Sequence, residues 1–216
     1  MDAMGTPRRQ RESHRPADRS SVRDRIMQAT RELLETHRFA DLSVATILST
    51  SGAAKGSFYF YFASKEDLLA ALVQEAVGAA LDAAENWTVV DSDRDPIEAL
   101  RAGTLAGAQL WRKHSAILRA IVEATGTDAP LDKMWRTQMD RFTQVALRRL
   151  DGDAEAAAWL VERDPLPIVT ALTWLGERVY YLSATNTAPF TTERVVVDVL
   201  TDAWALALYG RRQAAD

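Results

Sequence analysis

Cysteine is missing from all 216 residues, which excludes disulfides, thiolate zinc sites and thiol catalysis, and permits a reducing compartment. Histidine is scarce. His14, His37 and His114 fall in a basic tail, at a helix end and in a turn, and no HExxH, GxSxG or Walker pattern accompanies them. The acidic groupings, Glu66 with Asp67 and Asp91 to Asp95, sit at a helix start and in a solvated turn, where capping and the helix dipole account for them. Neither a metal site, a cofactor nor an enzyme activity is therefore expected. Long apolar runs are also lacking: none approaches the 18 residues of a membrane span, and the Arg-rich N-terminus has no apolar segment behind it. A folded cytoplasmic protein with no membrane partner is the expectation.

What is present is apolar and helical. Hydrophobic residues make up 47% of the chain, enough for a sizeable core. The net charge of −4 is unevenly spread, since residues 1–65 hold 11 Lys or Arg against 7 Asp or Glu, a local +4 that leaves −8 for the remainder. That asymmetry favours a basic reading head on an acidic body, which would discourage DNA from wrapping the body; a chance imbalance on a solvated surface is the alternative. Residues 1–20, with Arg8, Arg9, Arg11, Arg15 and Arg19 and almost no apolar side chains, are expected to be a disordered arm. It would either reach phosphates or a minor groove or simply aid solubility. From Ser21 to His37 the positions Val22, Ile26, Ala29, Leu33 and Leu34 recur at helical spacing behind a capping box of Ser21 and Asp24.

The stretch from Ser43 to Leu69 organises the rest. Ser43 caps a short helix that turns Val44, Ile47 and Leu48 inward, Ser51 and Gly52 mark a tight turn, and Ala54 to Phe60 forms a second helix too short to stand alone. This is helix-turn-helix spacing, in which the second helix enters the major groove. In the FYFYF run, core packing suits the three Phe, with Phe58 and Phe62 as anchors, and suits Tyr59 and Tyr61 less well. Lys55 can reach guanine O6 and N7 or a phosphate, the hydroxyls of Ser57, Tyr59 and Tyr61 can meet phosphate oxygens, and Gly56 permits close backbone approach. Ser64 caps the next helix, where Lys65 could hold another phosphate.

These residues resemble the DNA-binding signature of the TetR family of bacterial regulators, through Gly52, Gly56, Ser57, Phe58, Tyr59, Tyr61, Phe62, Lys65, Glu66 and Leu69 at matching spacing. The resemblance implies phosphate contacts from Ser43, Thr46, Ser57, Tyr59 and Lys65 and base reading near Ala54 and Lys55. Ala53 and Ala54 depart from the family's usual Val-Ser, removing the cap hydroxyl of the recognition helix, although an Ala methyl can still touch a thymine methyl. The implied architecture is all-α with about nine helices: a DNA-binding domain at 21–69 and a ligand-binding and dimerisation domain at 70–216.

After Pro96 no strand alternation is seen, so the body is expected to be helical throughout. Trp111, Trp135, Trp174 and Trp204 fall in four different helices, which by itself reads as simple core packing; Gly103 and Gly107 share one helix face, where lost volume can open a cavity. The body is similar to a branch of the same family that holds an apolar ligand tunnel. That likeness would place Leu100, Gly103, Gly107, Trp111, Trp135, Met139, Phe142, Ala146, Thr173, Gly176, Tyr181 and Trp204 around a small hydrophobic effector. The branch has Asn side chains where Thr173 and Gly176 stand, and bulkier aromatics where Leu100 and Gly107 stand, so ligand hydrogen bonding should be poorer here and the mouth wider. The last two helices, about 165–185 and 191–211, are apolar on more than one face. Val195, Val199 and Leu206 are expected to face inward, with Val196, Leu200, Ala203 and Ala207 as a second stripe. The family pattern implies a homodimer through this pair, presenting two recognition helices to a double-stranded, pseudo-palindromic operator. The function so implied is a repressor released by its effector; the alternative is a regulator with a filled core, controlled by a protein partner or acting constitutively.

Overall fold

The computed structural model describes residues 16–86 and 95–210. The expected arm falls outside them up to residue 15, as does the acidic turn up to residue 94. Among the described residues there are ten α-helices, one more than expected, and no strand. Helix α1 (Pro16–Thr36) begins five residues before Ser21, with a proline at its first position, where the missing N–H is no loss. A 3-10 turn, η1 (Phe39–Asp41), leads to α2 (Val44–Ser51), α3 (Lys55–Tyr61) and the long α4 (Lys65–Asn86). The body adds α5 (Pro96–Lys113), α6 (Ser115–Ala124), α7 (Ala129–Leu150), α8 (Ala154–Trp159), α9 (Pro165–Ala184) and α10 (Glu193–Tyr209). Six-residue α8 is too short to advertise itself by periodicity. Its ring Trp159 lies against Gly210, a residue at φ +67° where an added Cβ would come within 2.6 Å of the indole.

Side-chain caps set most helix starts. Asp95, Asp128, Asp153, Asp164 and Thr192 each accept a backbone N–H in the first turn of the helix that follows. Head and body share one core. Ile26, Ile47 and Phe58 in the head, Leu68, Leu69, Leu72, Val73, Val77 and Leu81 along α4, and Leu118, Ile121 and Trp135 in the body form a single buried cluster. The core therefore runs unbroken across residues 69 and 70. A second cluster, with Ala108, Val179, Val196 and Leu200, joins α5, α9 and α10, where the buried hydroxyls of Thr104 and Thr201 lie 2.9 Å apart. A third, with Leu160, Val169, Leu172 and Leu208, holds α8, α9 and α10 together.

The inward stripe of α10 is the reverse of the expected one. Val196, Val197, Leu200, Ala205 and Leu208 are buried, whereas Val199 and Leu206 are 43% and 40% exposed. Both stripes are apolar, so the periodicity alone does not rank them; the position of α5 does.

Because the core is continuous through α4, Leu72→Ala should destabilise the whole chain by about 2–5 kcal/mol. Calorimetry and far-UV circular dichroism should then report one coincident transition at a lower temperature, not a separately melting head.

Candidate nucleic-acid interface and body site

The helix-turn-helix is assembled from α2, the turn at Gly52 and α3. Gly52 sits at φ +65°, the left-handed conformation that ends α2, and its N–H donates to Leu48 O. At the start of α2, Ser43 Oγ accepts from the Thr46 amide at 3.1 Å and lies 2.8 Å from Thr46 Oγ1, so two exposed hydroxyls stand together on the surface. Ala54 occupies the N-cap of α3 with no side-chain cap bond, as its sequence requires. The helix is held from behind: Phe58 is fully buried, Phe62 nearly so, and their rings are 5.8 Å apart. Ala54, Lys55, Gly56 and Tyr59 remain exposed, as do Ser43 and Thr46 at the start of α2, and Ser57 is half-exposed.

Two aromatics differ from expectation. Phe60, read as core, is 68% exposed, and Tyr61, read as a contact, is half-buried against the head core. The alternation of the FYFYF run is the cause, since a helix turns by about 100° per residue and carries Phe60 away from the side that buries Phe58.

Lys65 also departs from its expected role. Its ammonium donates to Leu42 O at 2.8 Å, Phe39 O at 3.1 Å and Ala40 O at 3.3 Å, and lies 4.7 Å from the centre of the Phe39 ring. An ammonium has three donors, and all three are engaged here. Lys65 thus ties the start of α4 to the η1 turn that leads into α2. Ser64 completes this joint by capping Asp67, whose carboxylate accepts from the Ala63 amide.

The expected ligand-lining residues fall into groups. Gly107, Trp111 and Gly176 surround Tyr180, the neighbour of the expected lining residue Tyr181. The Tyr180 ring stacks on Trp111 at 6.2 Å and 28°, and its hydroxyl donates to Thr104 O at 2.9 Å; burial pushes that hydroxyl's pKa well above its ordinary value. A Cβ on Gly107 would come within 2.4 Å of the Tyr180 oxygen, so the glycine makes room for the phenol. Trp135 and Met139 are buried, Phe142 packs beside them, and Thr173 lies 3.2 Å from Thr143 through their hydroxyls. Trp135 Nε1 donates to Glu177 at 3.3 Å, and burial raises that carboxyl's pKa, partly opposed by the nearby Arg178.

The remaining lining residues stand elsewhere. Tyr181 turns toward α6, where its hydroxyl donates to Glu123 at 3.4 Å. Ala146 and Trp204 pack in the third cluster, Leu100 is half-exposed and Gly103 is open to solvent. Adjacent residues on a helix point about 100° apart, which is why Tyr180 and Tyr181 serve different neighbours. A cleft of about 150 Å³ lies between the end of α1 and α6, lined by Leu34, Phe39, Ala116, Arg119, Ala120 and Glu123, and none of the expected lining residues borders it.

Residues 26–72 match the model for "Bacterial regulatory proteins, tetR family", and residues 100–210 match that for "Transcriptional regulator EthR, C-terminal domain". The chain belongs to the TetR family. It is 28% identical to the HTH-type transcriptional regulator EthR of Mycobacterium tuberculosis over 188 residues, 87% of each chain. Its identity to EthR of Mycolicibacterium smegmatis is 29% over 207 residues, 95% of this chain and 93% of that one. Among solved structures it resembles the fatty acid degradation regulator FadR from Bacillus halodurans, with a TM-score of 0.70, 18% identity and coverage of 94% and 100%. This TetR-family protein is thus a DNA-binding transcriptional regulator and not an enzyme. No helix among its described residues is long and apolar enough to cross a membrane.

For this TetR-family head, Lys65→Met should lower the stability by roughly 2 kcal/mol, as expected when charge-assisted hydrogen bonds are lost. The slope of log affinity for DNA against log salt should stay unchanged in titrations, whereas a residue bonded to phosphate would lower it by about 1.

Proposed function

We propose that the protein is a homodimeric repressor whose body binds a small hydrophobic effector and thereby releases double-stranded operator DNA. In this reading residues 21–69 bind DNA and residues 70–216 bind effector and partner subunit. Ser43, Thr46, Ser57 and Tyr59 hold phosphates, while Ala54, Lys55 and Gly56 lie against base edges.

Homodimerisation is supported by the outer faces of α9 and α10. Leu166, Leu175, Val199 and Leu206 are each at least 40% exposed there, an apolar area that a second copy of the same helix pair would cover. A two-fold axis through that pair would set two recognition helices against successive major grooves.

The observation that carries the effector reading is the seam between α5 and α9. Tyr180 fills it against two glycines, held by one hydrogen bond and one stacking contact, so a side-chain rotation suffices to free the space beside Trp111 and Gly107. Trp135, Met139 and Phe142 supply apolar surface nearby and Thr173 a hydroxyl. An effector occupying that space separates α5 from α9, and since α9 and α10 carry the dimer contact, the spacing of the heads changes with it. Operator affinity then falls by the effector's differential affinity for the two spacings. A seam that stays filled by Tyr180 is what the second reading requires, a regulator with a closed body that answers to a protein partner or acts constitutively.

Native mass spectrometry of the purified protein, followed by operator titration with and without the hydrophobe it carries, tests the choice. Release of DNA supports the effector reading, and unchanged affinity at saturation rejects it. Gly107→Ala should expel Tyr180 from the seam, change Trp fluorescence and weaken operator binding in the absence of any added compound. Leu206→Arg should convert the dimer to monomer in sedimentation analysis and lower operator affinity at least tenfold, because one head loses the help of its partner.

A further inference from the structure

We infer that Phe60 is a further specificity-determining residue at the centre of the recognition helix, and that it selects thymine through the C5 methyl group of that base. Phe60 is 68% exposed, more than any other large apolar side chain among the described residues. Its place on α3 follows from Phe58, which is fully buried and fixes the inward direction. At about 100° per residue, Phe60 points some 160° away from Phe58, and Gly56, four positions earlier, lies on the same strip one turn below. Gly56 and Phe60 are thus the most outward pair of the helix. Lys55 and Tyr59 lie to one side of that strip and Ser57 to the other.

A Cβ on Gly56 would meet no atom within 4 Å, so the glycine is not there to make room for a neighbour in this chain. The Phe60 ring stands edge-on to Tyr61, with centroids 5.0 Å apart and planes at 88°, and Tyr61 is itself packed on the head core. The ring is therefore supported from behind while its far face meets solvent. Such a strip, flat at one end and apolar at the other, suits close approach to a groove wall followed by an apolar contact.

Phe has no hydrogen-bonding group, so it gains nothing from a purine edge and leaves that edge's N7 and O6 or N6 unpaired when it excludes water from them. The apolar feature on the floor of the major groove is the thymine methyl. A thymine opposite Phe60 buries that methyl, whereas cytosine offers only a C–H at the same place. Sequence preference at this position then comes from burial of one methyl group, while the neighbouring hydroxyls fix the register.

The test replaces thymines without altering hydrogen bonds. Duplexes are selected from a random pool by the full-length protein, and each thymine in the selected consensus is exchanged singly for deoxyuridine, which lacks only the methyl. One position per half-site should lose about fourfold in affinity, the effect of one buried methyl. Phe60→Ala should bind thymine and deoxyuridine duplexes equally, and Phe60→Leu should keep part of the discrimination. In both variants the salt slope should match that of the unmodified protein. The inference is overturned if every deoxyuridine duplex binds as well as its thymine parent, or if the selected consensus has no thymine in either half-site. It is likewise overturned if Phe60→Ala still discriminates, or if that change lowers the salt slope as loss of a phosphate contact does.

Discussion

Everything in this molecule leans on the buried stripe of α4. Leu68, Leu69, Leu72, Val73, Val77 and Leu81 are closed to solvent along more than three turns, and they pack on the head at one end and on α6 and α7 at the other. A helix so enclosed cannot shift at one end without disturbing the other, because close-packed interiors transmit displacement instead of absorbing it. The Arg31–Glu75 ion pair, at 2.6 Å, adds a lateral tie between α1 and α4, though at a partly exposed site its contribution is modest. The joint between head and body is therefore a packed core and not a linker.

The recognition helix depends on that core in a second way. Seven residues without a side-chain cap are far below the length at which a helix persists in water. Phe58 and Phe62 supply the anchorage, and Lys65 fixes the turn beneath them by closing three carbonyls of the 38–42 segment onto α4. A cation that bonds backbone in this way strengthens the local scaffold and leaves surface chemistry to other residues. In the proposed reading, the contacts with DNA fall to hydroxyls, to a glycine and to an exposed ring.

In the body, aromatic side chains that converge from several helices have closed on one another. Tyr180 occupies the volume that Gly107 gives up, and Trp111 and Trp135 find partners in Tyr180 and Glu177. Burying Glu177 raises the pKa of its carboxyl, so the proton is held more tightly in the folded chain than in the unfolded one. Stability from this group is thus fullest at acid pH and declines as pH rises through the raised value. The carboxylate lies between α7 and α9, beside the Trp135 indole donor and one turn from Thr173, whose hydroxyl meets that of Thr143.

Local spacing in the chain determined the helices, their caps and the helix-turn-helix, since each rests on residues within a few positions of one another. Ser43, Gly52, Ser64 and Pro165 mark boundaries by their own backbone chemistry, and the uncapped Ala54 was legible for the same reason. Tertiary structure decided what periodicity leaves degenerate. Both stripes of α10 are apolar, and only the position of α5 determines that Val196 and Leu200 turn inward while Val199 and Leu206 turn out. Neighbouring tyrosines in α9 differ by about 100° of rotation, and only the space at Gly107 selects Tyr180 over Tyr181. Lys65 reads as a free cation until the chain folds back and brings the carbonyls of Phe39, Ala40 and Leu42 to its ammonium. These are contacts between residues more than twenty positions apart, which no local pattern encodes.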